Sequence, residues 1–444
     1  MRRLPGGPDT NEATLMIGIR REDKSKWEAR TPLTPEDIRQ LIKNHGLRFQ
    51  VQASPIRAFS DDAYRATGAA VVGNLRDCPI ILGIKEIPIG GLEPGKTYVF
   101  FSHTIKLQPA NMPMLRRIVE LGCTLIDYER IVDEQGRRLV FFGRYAGLAG
   151  MIDTLWALGQ RLQHEGVENP FALVRHAYEY DDLQQAKGEI RQVGERIRKD
   201  GLPAAIQPFV CGFAGYGNVS RGAQEIFDLL PVCEIPAHEL AGASPSRREC
   251  YKVVFREEHL AERVDGGSFG LQDYYDHPEN YRSKFFPYLR HLTVLVNCIY
   301  WEPKYPRLVT NGQLRELFSG HGRSRLRVIG DITCDINGSI ECTVRATEPD
   351  DPVYVFEPES GRVQSGVAGD GPVILAVDIL PCELPVDASA QFGKLLSPLI
   401  PALARANLGG ALGESGLPPA LQRATIVYKG ELTGPYRYLE AEIR

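Results

Sequence analysis

From residue 15 onward short, fully apolar runs alternate with amphipathic stretches, the pattern of a parallel sheet covered by helices. Residues 15–19 read as the first strand. Thr34, Pro35 and Asp37 then supply an N-cap, a first-turn proline and an N3 acid for a helix through Ile38, Leu41 and Ile42. Strand-like runs follow at 49–51, 79–84, 98–101 and 124–126, with helices near 61–67 and 112–121 between them. Three of these runs end in ionisable residues: Lys85 and Glu86, then His103, then Asp127 and Glu129. Parallel strands of an open sheet point their carboxyl ends at one crevice, so Lys85, His103 and Glu129 are expected to converge there.

A second α/β unit is predicted downstream. The segment 147–162 is apolar on most of its circumference, which implies a helix buried on several sides and running between two domains. Residues 163–202 are polar, with a helix expected at 183–197. Strand candidates follow at 209–211, 232–235, 251–255, 293–297, 327–329 and 373–377, and helical material is expected around 278–292. Residues 387–403 carry one apolar stripe (Phe392, Leu395, Leu396, Leu399, Ile400, Leu403), kinked by Pro398 and Pro401. The tail from 419 is too short for a core of its own and must pack on an earlier one.

The stretch FVCGFAGYGNVSRGAQE, residues 209–225, is strand, tight glycine turn and helix in succession. Gly215 and Gly217 admit a pyrophosphate to the main chain, and the N–H groups of Asn218, Val219 and Ser220 open the helix toward it. The third glycine of a GxGxxG motif is replaced by Ser220, with Gly222 two residues later. An acid some 20 residues beyond such a turn suits the ribose hydroxyls of NAD, whereas an arginine suits the 2′-phosphate of NADP. Glu239 and the pair Arg247 and Arg248 both stand at plausible distances, so the pattern leaves the two cofactors open.

A chain of 444 residues has room for two cores, and a formal charge of −4 gives no reason to expect nucleic acid or an anionic membrane as a partner. The nine cysteines are scattered, mostly in apolar runs and never as CxxC, as expected of reduced residues in a cytoplasmic protein without a metal site. Residues 1–14 contain two arginines but no apolar core of a signal peptide, and read as a flexible leader.

Several long segments resemble a known family: KWEARTPLTP (26–35), ILGIKEIP (81–88), FFSHTIK (100–106), FFGRYAGLAG (141–150), NCIYWEPKYPRLVT (297–310), GDITCDINGSIECT (330–343) and VDILPCELPVDAS (377–389). With GYGNVSRGAQEIF they resemble the lysine-ketoglutarate reductase part of α-aminoadipic semialdehyde synthase and, more distantly, fungal lysine-forming saccharopine dehydrogenase and alanine dehydrogenase. The expected fold class is therefore α/β, with two Rossmann-like domains, doubly wound parallel sheets and an active-site cleft between them. The resemblance implies a catalytic domain of residues 15–150 plus 404–444, a nucleotide-binding domain of residues 151–403, and inter-domain helices near 147–162 and 387–403.

It also implies a reaction, the reductive condensation of L-lysine with 2-oxoglutarate to saccharopine by NADPH or NADH. NADPH is the weakly preferred cofactor. Because the relatives' saccharopine-oxidising part would follow this one, only the reductase activity is expected. Lys85 and His103 match the family's acid-base pair, and are the residue types whose pKa values can lie near the working pH. Glu86 and Glu129 match acids that tune the pair and hold the cationic substrate. Arg30 and Arg138 match positions for the substrate's carboxylates, which guanidinium forks recognise bidentately. Asp378 matches an aspartate near the nicotinamide, while Asp331 and Asp335 lie on another strand end with no assigned role. Two other readings remain: a related amino-acid dehydrogenase with a different substrate pair, and a catalytically silent dinucleotide sensor.

Overall fold

The computed structural model describes residues 16–320 and 324–443, so the expected leader and Leu15 lie outside the described residues. In chain order the strands are β1 (Ile17–Ile19), β2 (Phe49–Gln52), β3 (Ala70–Val72), β4 (Ile80–Leu82), β5 (Thr97–Phe100), β6 (Thr124–Asp127), β7 (Val210–Ala214), β8 (Val232–Glu234) and β9 (Cys250–Phe255). They continue as β10 (Ala261–Arg263), β11 (Tyr281–Ser283), β12 (Val294–Asn297), β13 (Val328–Asp331), β14 (Val353–Phe356), β15 (Val363–Ser365), β16 (Val373–Leu375), β17 (Thr425–Tyr428) and β18 (Glu431–Leu432). The chain divides into two compact units. One holds the described residues up to Phe141 together with those from Pro385, and the other is Phe142–Leu384.

The sheet of the first unit has the order β18-β17-β6-β5-β4-β1-β2-β3. β1 to β6 run parallel, and β17 joins β6 antiparallel. The parallel part thus has the doubly wound order 3-2-1-4-5-6, which reverses between β1 and β4. Helix α1 (Pro35–His45) begins as its sequence requires: Thr34 Oγ1 accepts the Asp37 N–H at 3.2 Å, and the Asp37 carboxylate accepts the Thr34 N–H at 2.8 Å. Helices α2 (Asp61–Arg65) and α3 (Met112–Glu120) complete the first half of the unit. The strand β17 has no counterpart among the predicted elements, because four residues in a polar tail carry too little pattern.

The segment 387–403, expected to link the domains, belongs to the first unit. Phe392 lies edge-on to Tyr128 at 5.0 Å and 5.9 Å from Phe101, and the Thr31 N–H donates to Ser389 Oγ at 3.0 Å. Gly393 meets α1 so closely that a Cβ would stand 2.0 Å from an Asp37 oxygen. The two prolines break the helix as predicted: Pro385–Leu396 passes through a tight turn, Ser397–Leu399, into Ile400–Arg405.

In the second unit the sheet order is β15-β14-β16-β13-β12-β7-β9-β8. Six strands are parallel, and β14 and β15 extend the β16 edge antiparallel. The order departs from 3-2-1-4-5-6 at one end, where β9 takes the place beside β7 and β8 moves to the edge. A small antiparallel hairpin, β10 with β11, stands apart from this sheet and accounts for part of the stretch expected to be helical. The long apolar helix is α4 (Gly143–His164), and it belongs wholly to this unit. Its buried face explains that assignment: a Cβ on Gly147 would stand 1.9 Å from the Val219 carbonyl oxygen, and one on Gly150 2.7 Å from Ile332. Helix α5 (Leu183–Asp200) follows, and α6 (Asn218–Phe227) succeeds β7. Among the described residues no helix is long and apolar enough to cross a membrane.

Candidate active site

In the first unit the carboxyl ends of β1, β4, β5 and β6 carry the titratable residues. The reversal of strand order makes β1 and β4 neighbours whose following loops diverge, and the turn Gly83–Glu86 leaves β4 there. Glu22, on the loop after β1, holds that turn, accepting the N–H of Ile84 at 2.8 Å and of Lys85 at 3.0 Å. Burial pushes the Glu22 carboxyl up to about 7, with the Glu28 charge adding to the rise, while Arg20 and the two N–H groups oppose it. Gly83 is needed at this approach, since a Cβ would stand 2.9 Å from the Arg20 side chain. Nothing in the spacing of the sequence singles out Glu22, because its importance comes from pairing across strands.

His103 follows β5 in a left-handed backbone conformation, φ 49°. That conformation is uncommon for a residue with a Cβ, and here three contacts impose it. The Ser102 N–H donates to buried Asp127 at 3.0 Å and the Ser102 hydroxyl donates to the same oxygen, while Asn111 Nδ2 donates to the His103 carbonyl at 3.1 Å. His103 Nδ1 lies 2.7 Å from Glu86 Oε1, and Lys24 Nζ lies 2.7 Å from Glu86 Oε2. Burial alone would raise the Glu86 carboxyl, but the hydrogen bond and charge of His103, with the Lys24 bond, outweigh it and hold the group at about 2. An ionised carboxylate only accepts hydrogen bonds, so Nδ1 carries the proton and Nε2 is left as the nitrogen that exchanges one.

The expected carboxylate-binding arginines are both in ion pairs. Arg30 is buried and forks onto Glu28, with bonds of 2.7 and 2.6 Å. Arg138 donates through one nitrogen to Glu129, and its side chain is 50% exposed, so the rest of its fork faces outward. The Glu129 N–H is held by Asp127 at 2.7 Å. The first unit therefore joins Glu86 with His103 and Lys24 in one network, next in the chain to Lys85, whose N–H is held by Glu22, and it pairs Glu129 with Arg138.

The second unit contains a pocket of about 480 Å³ at the carboxyl ends of β7, β9 and β12, lined among others by Gly215, Gly217, Phe255, Glu257 and Cys298. Gly215 has φ 92°, and a Cβ there would crowd Ile299 at 3.2 Å, while Gly217 caps α6 with open space where a Cβ would be. A helix N-terminus reached across bare glycine is a site for an anionic group, and the pocket beside it has room for a nucleoside. The residues present thus fit a dinucleotide. Asn218, Val219 and Ser220 form the first turn of α6. Ser220 is fully buried and its hydroxyl accepts Gln224 Nε2 at 2.9 Å. Gly222 does the packing work, for a Cβ there would stand 2.1 Å from the Arg144 carbonyl oxygen on α4. The shifted glycine therefore serves the contact of two helices.

Glu239 does not reach this pocket. It lies in a short turn, Ala237–Gly242, beyond the edge strand β8, with its side chain 60% exposed beside His238. The 20-residue rule fails because β8 and β9 have exchanged places, so the strand that follows α6 in sequence is not the one beside β7. Arg247 is likewise turned away, donating to the Asp200 carbonyl at 3.1 Å. Asp378 is exposed in the turn after β16. Asp331 is buried and bonded by Asn297 Nδ2 at 2.7 Å and by the Thr343 hydroxyl, a structural tie between strand ends.

Comparison with known proteins agrees with this architecture. Residues 18–149 match the alanine dehydrogenase/PNT N-terminal domain family. The chain is 41% identical over 449 aligned residues to the alpha-aminoadipic semialdehyde synthase of Arabidopsis thaliana, covering 96% of this chain but only 41% of that protein. It is 28% identical over 398 residues to a saccharopine dehydrogenase (NAD(+), L-lysine-forming) of Neurospora crassa, covering 87% of this chain and 90% of that one. Among solved structures an L-alanine dehydrogenase superposes with a TM-score of 0.62 at 16% identity, over 97% of this chain and 100% of that one, a likeness of fold. Over 96% of its length the chain is homologous to the lysine-ketoglutarate reductase part of the alpha-aminoadipic semialdehyde synthases, and its residues 18–149 to the alanine dehydrogenase/PNT N-terminal domain.

Proposed function

We propose that this protein is an NAD(P)H-dependent oxidoreductase that condenses L-lysine with 2-oxoglutarate and reduces the product to saccharopine. The supporting observation is the network at the ends of adjacent strands β4 and β5, where ionised Glu86, next to Lys85 in the chain, fixes the tautomer of His103. The reaction begins with loss of a proton from the ε-ammonium of lysine, and His103 Nε2 is the group with the free lone pair to take it. The amine nitrogen then bonds to the ketone carbon. The ketone oxygen takes up the proton that the attacking nitrogen gives up, becoming a hydroxyl, which leaves as water with a second proton supplied by His103 or Lys85. The imine carbon would be reduced by a hydride, the chemistry that a reduced nicotinamide would supply when bound.

Gly215, Gly217 and the first turn of α6 would hold the cofactor's pyrophosphate. The outward donors of Arg138 suit a substrate carboxylate, and Glu129 beside it keeps the pair neutral until substrate arrives.

The test is oxidation of NADPH and NADH, followed by absorbance, at saturating lysine with and without 2-oxoglutarate. Turnover is expected only with both substrates present. Turnover with ammonia in place of lysine would favour a simpler amino-acid dehydrogenase, and cofactor binding without turnover on any pair would favour a sensor.

A further inference from the structure

The exchange of β8 and β9 moves the cofactor-selecting position to a residue that spacing does not reveal. In a dinucleotide fold the 2′-position of the adenosine ribose is read just beyond the strand adjacent to the glycine strand, by an acid for a hydroxyl or by an arginine for a phosphate. Here that strand is β9. Its last residue, Phe255, is in register with Ala214, the residue before the glycine turn, and its carbonyl accepts the Gly215 N–H at 3.0 Å. The next residue is Arg256.

We infer that Arg256 binds the 2′-phosphate of the cofactor and makes this protein selective for NADPH over NADH, an inference that rests on the dinucleotide reading of the glycine turn. Three observations carry it. Arg256 stands at the reading position, its side chain exposed and its guanidinium 4.9 Å from the ring centroid of Tyr216, the residue between the two pocket glycines. No carboxylate pairs with it among the described residues, in a chain where Arg30, Arg138 and Arg144 each have one. Its main-chain N–H is fixed by His259 Nδ1 at 3.0 Å, which holds the backbone at the strand end.

The neighbouring acid, Glu257, is the rival. It lines the pocket, but one of its oxygens is engaged by the hydroxyls of Tyr275 at 2.8 Å and Tyr216 at 3.4 Å, so it is tied to the aromatic wall. Its charge would repel a 2′-phosphate unless the guanidinium lay between them. The selectivity is therefore set by a single charged side chain, whose interaction with a phosphate is worth about 10-fold or more in affinity.

The experiment measures dissociation constants of NADPH and NADH by nicotinamide fluorescence on the full chain without substrates, with 2′-phospho-AMP and AMP as shorter probes. Wild type is expected to bind NADPH about 10-fold or more tightly than NADH, with the gap narrowing as salt rises. Arg256→Ala should abolish the preference by weakening NADPH while NADH stays within about 3-fold, and Arg256→Lys should keep part of it. Equal or tighter binding of NADH by wild type, a uniform loss in Arg256→Ala, or transfer of the preference to Glu257→Gln would overturn the assignment. Binding of neither dinucleotide overturns it too. NADPH-selective binding without turnover on lysine and 2-oxoglutarate would leave it standing while the proposed reaction failed.

Discussion

The two sheets share a scheme, six parallel strands with an antiparallel pair added at one edge, yet their carboxyl ends are dressed in opposite ways. In the first unit the strand ends carry Glu22, Lys85, Glu86, His103 and Asp127, held to one another or to turn N–H groups. In the second they carry glycines and an aromatic wall, and its fully buried acid at a strand end, Asp331, is spent on structural hydrogen bonds. On the proposed reading, closely related sheets thus make a crevice for moving protons in one case and a cradle for an anionic nucleotide in the other. What separates them is which side chains stand in the few positions after each strand.

The largest expected effect separates the two units by function. Lys85→Met and His103→Gln should each lower turnover by about 100-fold to 10,000-fold, the range of general acid-base catalysis. Cofactor affinity, measured by fluorescence, should remain near wild type in both. Equal loss of affinity and turnover would erase the division of labour between the sheets.

Next in size is a substitution that attacks the second unit alone. Gly147→Ala drives a methyl group into the Val219 carbonyl, 1.9 Å away, and the contact is backbone to backbone, so no rotamer relieves it. A destabilisation of about 3 kcal/mol is expected, at the upper end of ordinary overpacking. In a calorimetric scan it should appear as a lowered melting transition with loss of cofactor binding. Gly222→Ala, at 2.1 Å from the Arg144 carbonyl on the same helix crossing, should behave alike. A variant that binds cofactor and melts as wild type would show that the two helices can part without consequence.

These contrasts also mark what could be seen in advance. The fold class was legible because parallel strands buried on both faces leave continuous apolar runs, and because Thr34, Pro35 and Asp37 carry their capping chemistry locally. The places of Lys85 and His103 in the fold were legible for a related reason: each stands three residues beyond the end of a buried strand. Glu22 was not, since only the pairing of β1 with β4 sets its carboxylate against the Lys85 N–H. Arg256 was hidden by the exchange of β8 and β9, which no local pattern records. Strands β14, β15, β17 and β18 are short edge elements, and their stability comes from the neighbouring strand rather than from their own sequence. The helix α4, expected to run between the domains, falls in the second unit, for an all-apolar helix announces burial without naming the partner.

The smallest effect concerns an acid pair in the second unit that lies outside the nucleotide pocket. Asp153 on α4 and Glu383, beside the unit boundary, are fully buried, and Asp153 Oδ1 accepts the Ala177 N–H at 2.8 Å. Burial pushes Asp153 up to about 7, against the bond from the Ala177 N–H, and burial with the Asp153 charge raises Glu383 well above the usual range. A carboxyl whose pKa is raised by folding keeps a proton that the unfolded chain releases near pH 4. Its contribution to stability is therefore full below that pH and is lost as pH rises through about 7. Asp153→Asn keeps an oxygen for the Ala177 N–H and removes the titration of this residue, so its stability relative to wild type should improve as pH rises from 4 to 8. Chemical denaturation across that range measures it. A constant difference would mean that the pair is ionised in the folded protein, as the buried side chains of Arg161, Glu165 and Arg327 in the same unit are.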